Sequence, residues 1–131
     1  MTKQLTKLEI LAETYEFYTK NPQNRALNGN RCEYKMSDNG VIKHCAVGRC
    51  IDWNTPELAL PDFIKSNSAA RFVDDDFKAL LPQYQNTNLE FWYDVQRWHD
   101  TRDNWDMINN KITERGDNHM KRLITKYSQV N

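Results

Sequence analysis

The dipeptide Asn39-Gly40 limits the folds open to this chain more than any other feature. It separates two short runs, 31–36 and 41–45, and can supply the positive φ angles that a tight two-residue turn requires. The spacing therefore predicts one β-hairpin over about 31–45. With Ser37 opposite Gly40, the register sets Cys32 opposite Cys45. A different turn type shifts that pairing by one or two residues.

The rest of the chain reads as helix. Thr6-Lys7-Leu8-Glu9 is a capping box, in which the Thr hydroxyl takes an orphan N–H and Glu9 reaches back to the cap. It opens a helix over 6–20 with Leu8, Leu11, Tyr15 and Tyr18 on one face, stopped at Asn21-Pro22. A second helix is predicted over 88–99 with Phe91, Val95 and Trp98 on one face. A third, over 113–127, aligns Gly116, Met120, Leu123 and Tyr127. Weaker signals suggest a short helix over 46–52 and a helix start at Thr55-Pro56. They also suggest a turn of helix over 62–66 and a helix over 77–81 opened by Asp74-Asp75-Asp76. No repeat or long linker interrupts the chain. The fold class expected is α+β, a mostly α-helical single compact domain over residues 1–131 with one hairpin.

Composition excludes several functions. At 131 residues with 39% hydrophobic and 11% aromatic content, the chain can build a core and is not expected to be disordered. Lys plus Arg equals Asp plus Glu at 18 each, so no basic field marks a general nucleic-acid binder. Charge is uneven: residues 74–106 carry eight acids against three bases, and residues 111–131 five bases against two acids. Two solvated faces explain this, as does an acidic face that meets a basic partner. No apolar run reaches membrane-spanning length and no secretory leader pattern is present. The expected location is cytoplasmic, with the three cysteines reduced.

Chemistry-bearing residues gather in two places. Cys32, His44, Cys45 and Cys50 could in principle bind zinc, but no C-x2–4-C knuckle exists. His44 and Cys45 point to opposite faces of a strand, and Cys45 and Cys50 lie roughly 140° apart on a helix. No metal site and no cofactor are expected. Cys45 at a strand-to-helix junction could be an activated nucleophile with His44 or His99 as base and Asp100 as orienting group. Packed thiols and a capping histidine account for the same residues more simply. The Asp74–Asp76 run could hold Mg²⁺, and helix capping explains it more simply. Farther along, Phe91, Trp92, Tyr93, Trp98 and Trp105, flanked by Arg97 and Arg102, form a dense aromatic block. Three consecutive aromatics cannot all face one core; packing on the hairpin or on the Tyr15/Tyr18 face accounts for them, and if a partner is bound the segment 91–106 is the expected contact surface.

The motifs Cys45-Ala46-Val47-Gly48 and Trp98-His99-Asp100 resemble those of small uncharacterised phage and bacterial proteins. Those proteins open with an amphipathic helix and carry Cys-Ala/Ser-Val/Ile-Gly before a later Trp-Asn/His-Asp. Similar proteins often have Asn where this chain has His99, which counts against a shared catalytic base there. The resemblance implies a compact α+β fold and no established activity. The expectation is a small phage-type accessory protein that is not an enzyme. It would bind a host protein, such as a defence protein, or a nucleotide-like small ligand. The alternative is a cysteine-dependent hydrolase or transferase.

Overall fold

A computed structural model describes residues 3–25, 27–28, 31–32, 35–38, 40–52 and 80–129. The expected helix starts at Thr55-Pro56 and Asp74–Asp76 and the turn at 62–66 lie outside these residues, as does the side chain of Cys32.

Among the described residues three α-helices carry the fold: α1 (Lys7–Lys20), α2 (Leu89–Asp100) and α3 (Glu114–Ser128). Each begins on a side-chain cap. Thr6 and Glu9 close the expected capping box on α1. Asn88 accepts from the Phe91 N–H on α2, and Thr113 accepts from the Gly116 N–H on α3. α3 packs against both α1 and α2. Among the described residues no helix is long and apolar enough to cross a membrane.

Three two-stranded antiparallel sheets accompany them among the described residues. β1 (Leu27–Asn28) pairs with β2 (Arg31–Cys32), and β3 (Lys35–Asp38) with β4 (Val41–His44). β5 (Trp105–Asp106) pairs with β6 (Lys111–Ile112). The β3–β4 hairpin confirms the fold class and corrects its register. Asp38 faces Val41, and Gly40 takes φ 84°. Ser37 therefore pairs with Ile42 and not with Gly40. Cys32 accordingly does not face Cys45; it pairs with Leu27 in the first hairpin.

Two further expectations change. Residues 46–52 hold only a single 3-10 turn, Gly48–Cys50. Leu80 is not helical but bridges antiparallel to Ile51, and Pro82–Tyr84 follows as a 3-10 turn.

The core gathers Ile10, Leu11 and Tyr18 from α1, the segment Cys45–Val47 with Cys50 and Ile51, and Leu80 and Tyr84. To these α2 adds Phe91, Trp92, Val95 and Trp98, the last hairpin adds Trp105, and α3 adds Met120 and Leu123. Burial of this much apolar surface is the main force holding the helices together. Gly116 sits where α3 crosses the chain at Asn104. A Cβ there would lie 2.5 Å from the Asn104 carbonyl oxygen and 2.6 Å from Ile112 Cγ1, so close approach requires glycine.

Candidate functional site

The helical period decides the fate of the aromatic block. On α2, Phe91, Val95 and Trp98 form one stripe, and Trp92, Gln96 and His99 lie one position round from it. Both stripes are buried, because α2 is covered on two sides. Trp92 meets Tyr84 at 6.4 Å between ring centroids and donates its indole N–H to Thr87 Oγ1 at 2.7 Å. Trp98 lies 5.0 Å from Trp105 and donates to the Gly116 carbonyl at 3.1 Å. Phe91, Trp92, Trp98 and Trp105 are therefore core residues, which corrects the expected contact surface. Their indole groups spend their hydrogen bonds inside the protein. Of the seven residues expected there, only Tyr93, Arg97 and Arg102 face solvent.

Beneath this layer lies a buried polar cluster. Its foundation is the C-terminal end of α2, where the last carbonyls lack intrahelical partners. Asn104 Nδ2 donates to the Trp98 carbonyl at 2.9 Å. The His99 carbonyl receives both Arg25 Nε and Trp105 Nε1, each at 3.0 Å. The Arg25 guanidinium stacks 4.8 Å from the Trp105 ring centroid and puts a positive charge at the negative end of the helix dipole.

One turn back, Gln96 Oε1 accepts from the Val47 N–H at 3.1 Å, and its Nε2 donates to Asp100 Oδ1 at 2.6 Å. Gln96 thus pins the Cys-Ala-Val-Gly segment to α2. His99 is fully buried, edge-on to Tyr18 at 4.8 Å, and its Nδ1 lies 2.7 Å from the same Asp100 oxygen. Burial holds the ring's pKa below its ordinary value despite Asp100. Burial thus favours the uncharged ring, whose Nδ1 lies within hydrogen-bond distance of both Asp100 Oδ1 and, at 3.2 Å, Gln96 Nε2. The Tyr18 hydroxyl donates to the His44 carbonyl at 2.7 Å.

These placements weigh on the nucleophile reading. Cys45 is fully buried, and its Sγ accepts from the Gly48 N–H at 3.3 Å. The helix whose dipole was expected to act on it is one 3-10 turn. His99 and Asp100 do form the imidazole–carboxylate pair that such chemistry needs, but the imidazole is sealed from solvent as the thiol is. Among the described residues, which leave out the Cys32 side chain, no three His, Cys, Asp or Glu side chains converge on a point that could hold a metal ion. Cys50 is a free thiol whose pKa burial pushes up to about 12.

A second polar cluster lies at the surface side of the 48–50 turn. Arg49 pairs with Glu13 at 2.8 Å, donates to Thr14 Oγ1 at 3.3 Å and reaches the Tyr84 hydroxyl at 3.5 Å. Tyr84 in turn donates to Glu13. A cleft of about 570 Å³ opens beside it, lined by Glu13, Glu16, Phe17, Lys20, Asn21, Asn24 and Arg49. Sequence reasoning missed Arg25, Gln96 and Arg49. Only their chain neighbourhood hinted at a role, since two of them flank the Cys-Ala-Val-Gly and Trp-His-Asp motifs.

The remaining feature is the tip of the β5–β6 hairpin. Asp106 accepts from the Ile108 and Asn109 N–H groups, both at 3.1 Å, and from Asn109 Nδ2 at 2.8 Å. Asn110 completes the loop with φ 55°, a left-handed conformation that asparagine tolerates. The loop so fixed presents Met107, 52% exposed, and Ile108, 95% exposed. Arg25 Nη1 approaches Met107 Sδ at 3.7 Å and ties the loop back to the buried cluster. Comparison with protein-family models, curated proteins and solved structures returned no match to this chain.

Proposed function

We propose that this protein is a small non-catalytic binding module, a phage-type accessory protein that acts by holding a host protein such as a defence protein. The observation that carries the reading is the braced hairpin tip. An isoleucine exposed at 95% is common as a lone surface residue, but here it stands next to Met107 on a loop held by three hydrogen bonds to one carboxylate. A fixed loop loses little conformational freedom on docking, so its apolar side chains convert burial into affinity efficiently. Burial of the Cys45 and Cys50 thiols, of His99 and of four aromatics supports the same reading, since it assigns them to the folding core. The contact surface proposed is thus 107–110, beside the segment 91–106.

Pull-down from host lysate with wild type and Ile108→Asp in parallel tests this. Truncating or charging a central anchor costs at least about 2 kcal/mol, or roughly 30-fold in affinity. The retained host protein should disappear with Ile108→Asp, while the circular dichroism and melting temperature of the variant stay unchanged. Retention of the same protein at equal yield by both chains would sink the assignment, as would a wild-type chain that retains nothing.

A further inference from the structure

Arg49 is not fully used by the contacts described. Among the described residues, its Nη1 serves Glu13 and Tyr84, its Nη2 meets the Thr14 hydroxyl at 3.3 Å, and its buried Nε has no hydrogen-bond partner. Nε and Nη2 form the edge of a guanidinium that takes a carboxylate or phosphate through two parallel hydrogen bonds. That edge belongs to a side chain lining the cleft beside α1. A buried donor without an acceptor is uncommon enough to need an explanation. A ligand oxyanion supplies one.

The other cleft residues define the rest of the ligand. Lys20, exposed and lining the same cleft, adds a second cation. The Phe17 ring is backed by the Arg49 guanidinium 5.4 Å from its centroid and is 39% exposed, so it offers a face for stacking. Asn21 and Asn24 contribute carboxamides, which match the paired donors and acceptors on a nucleobase edge. Glu16 can accept from an exocyclic amine or a ribose hydroxyl. The cleft volume of about 570 Å³ falls within the range of small-molecule sites.

From this arrangement we infer that the cleft between α1 and the 48–50 turn binds a nucleoside monophosphate. The phosphate sits at Arg49 and Lys20, and the base stacks on Phe17. Two cations face two carboxylates here, Glu13 and Glu16, so the site tolerates one phosphate better than three. The site shares no residue with the hairpin tip, and it stands or falls independently of the protein partner.

The test is amide NMR titration of the full chain with AMP and GMP, with adenosine and inorganic phosphate as separate halves, and with ATP. Saturable shifts at Phe17, Lys20, Asn24 and Arg49 with a dissociation constant of about 1 mM or tighter are expected for a monophosphate. Either half alone should bind at least about tenfold more weakly. Lys20→Glu, on the exposed rim, should weaken binding by a similar factor with an unchanged melting temperature. Phe17→Leu should weaken the nucleotide and leave phosphate alone unaffected. Phosphate binding as tightly as AMP, or ATP binding more tightly than AMP, overturns the nucleotide assignment. So does the absence of shifts in the cleft at millimolar ligand.

Discussion

Two polar clusters stand on either side of the Cys45–Cys50 segment, and they are closed in different ways. The cluster at Gln96 and His99 is built largely from neutral groups. An amide, an imidazole, two indole N–H groups and backbone carbonyls bond within it, with Arg25 capping the helix end, and among the described residues Asn104 Oδ1 is buried without a donor. Its one carboxylate, Asp100, keeps 37% of its side chain in solvent. The cluster at Arg49 is built on charge, and its counter-ion Glu13 remains 40% exposed. Neutral groups can be locked away from water once each has a partner, whereas a buried charge carries a desolvation cost that pairing only partly repays. The first cluster is therefore a fastening inside the core. The second keeps its carboxylate partly in water, and the Nε of its mostly buried guanidinium has no partner among the described residues.

Breaking each cluster measures that difference. Gln96→Leu should have the largest effect. It strands the Val47 N–H and removes a donor from Asp100, at a cost of about 2–4 kcal/mol. Urea unfolding reads this directly, and a loss below about 1 kcal/mol would mean that Gln96 does not fasten the motif to α2. Arg49→Met should cost less, about 1–2 kcal/mol, because Glu13 and Tyr84 can turn to water and the methionine retains much of the packing. The reverse order of the two variants would overturn the comparison and make the charged cluster the stronger fastening.

Which parts of this were legible in the sequence follows from physical range. Helix starts were legible because a cap is a local device: Thr6, Asn88 and Thr113 sit within three residues of the N–H groups they satisfy. Helix faces were less so. On α1 the expected stripe included Leu8, which is 37% exposed, and omitted Ile10, which is fully buried. Neighbouring stripes differ by a fraction of a turn, and only the packing partners choose between them. The hairpin was visible, yet its register was misplaced, since Ser37 pairs with Ile42 rather than Gly40 and local turn signals fit more than one loop. The β5–β6 hairpin was missed altogether. Two-residue strands carry no alternation, and the Asp106 turn is a side-chain device that only Asn109-Asn110 hints at. Of the candidate site, the motifs were legible but not their depth. Nothing local reveals that α2 is covered on two sides, and so the aromatics that looked like a surface became the core.

The smallest effect expected is a pH dependence that sharpens the same contrast. Burial depresses the folded-state pKa of His99 below its ordinary value of 6.5. Above about pH 6.5 the ring is neutral in both the folded and the unfolded chain, and the cluster contributes its full stability. Below that pH the unfolded chain takes up a proton that the folded chain refuses. The unfolded state then binds more protons, and stability falls as the pH drops toward the folded pKa. His119 adds a slope of the same sign, since burial, Arg122 and Arg97 lower its pKa while it accepts from Asn104 Nδ2 at 2.9 Å. Urea unfolding at about pH 7.5 and about pH 5.5 should therefore show lower stability at the acid end, and His99→Gln should flatten the slope relative to wild type. His119→Gln separates the second contribution. A His99→Gln chain with the wild-type slope would mean that the ring is protonated as easily inside the protein as outside it, and that the inner cluster is open to water after all.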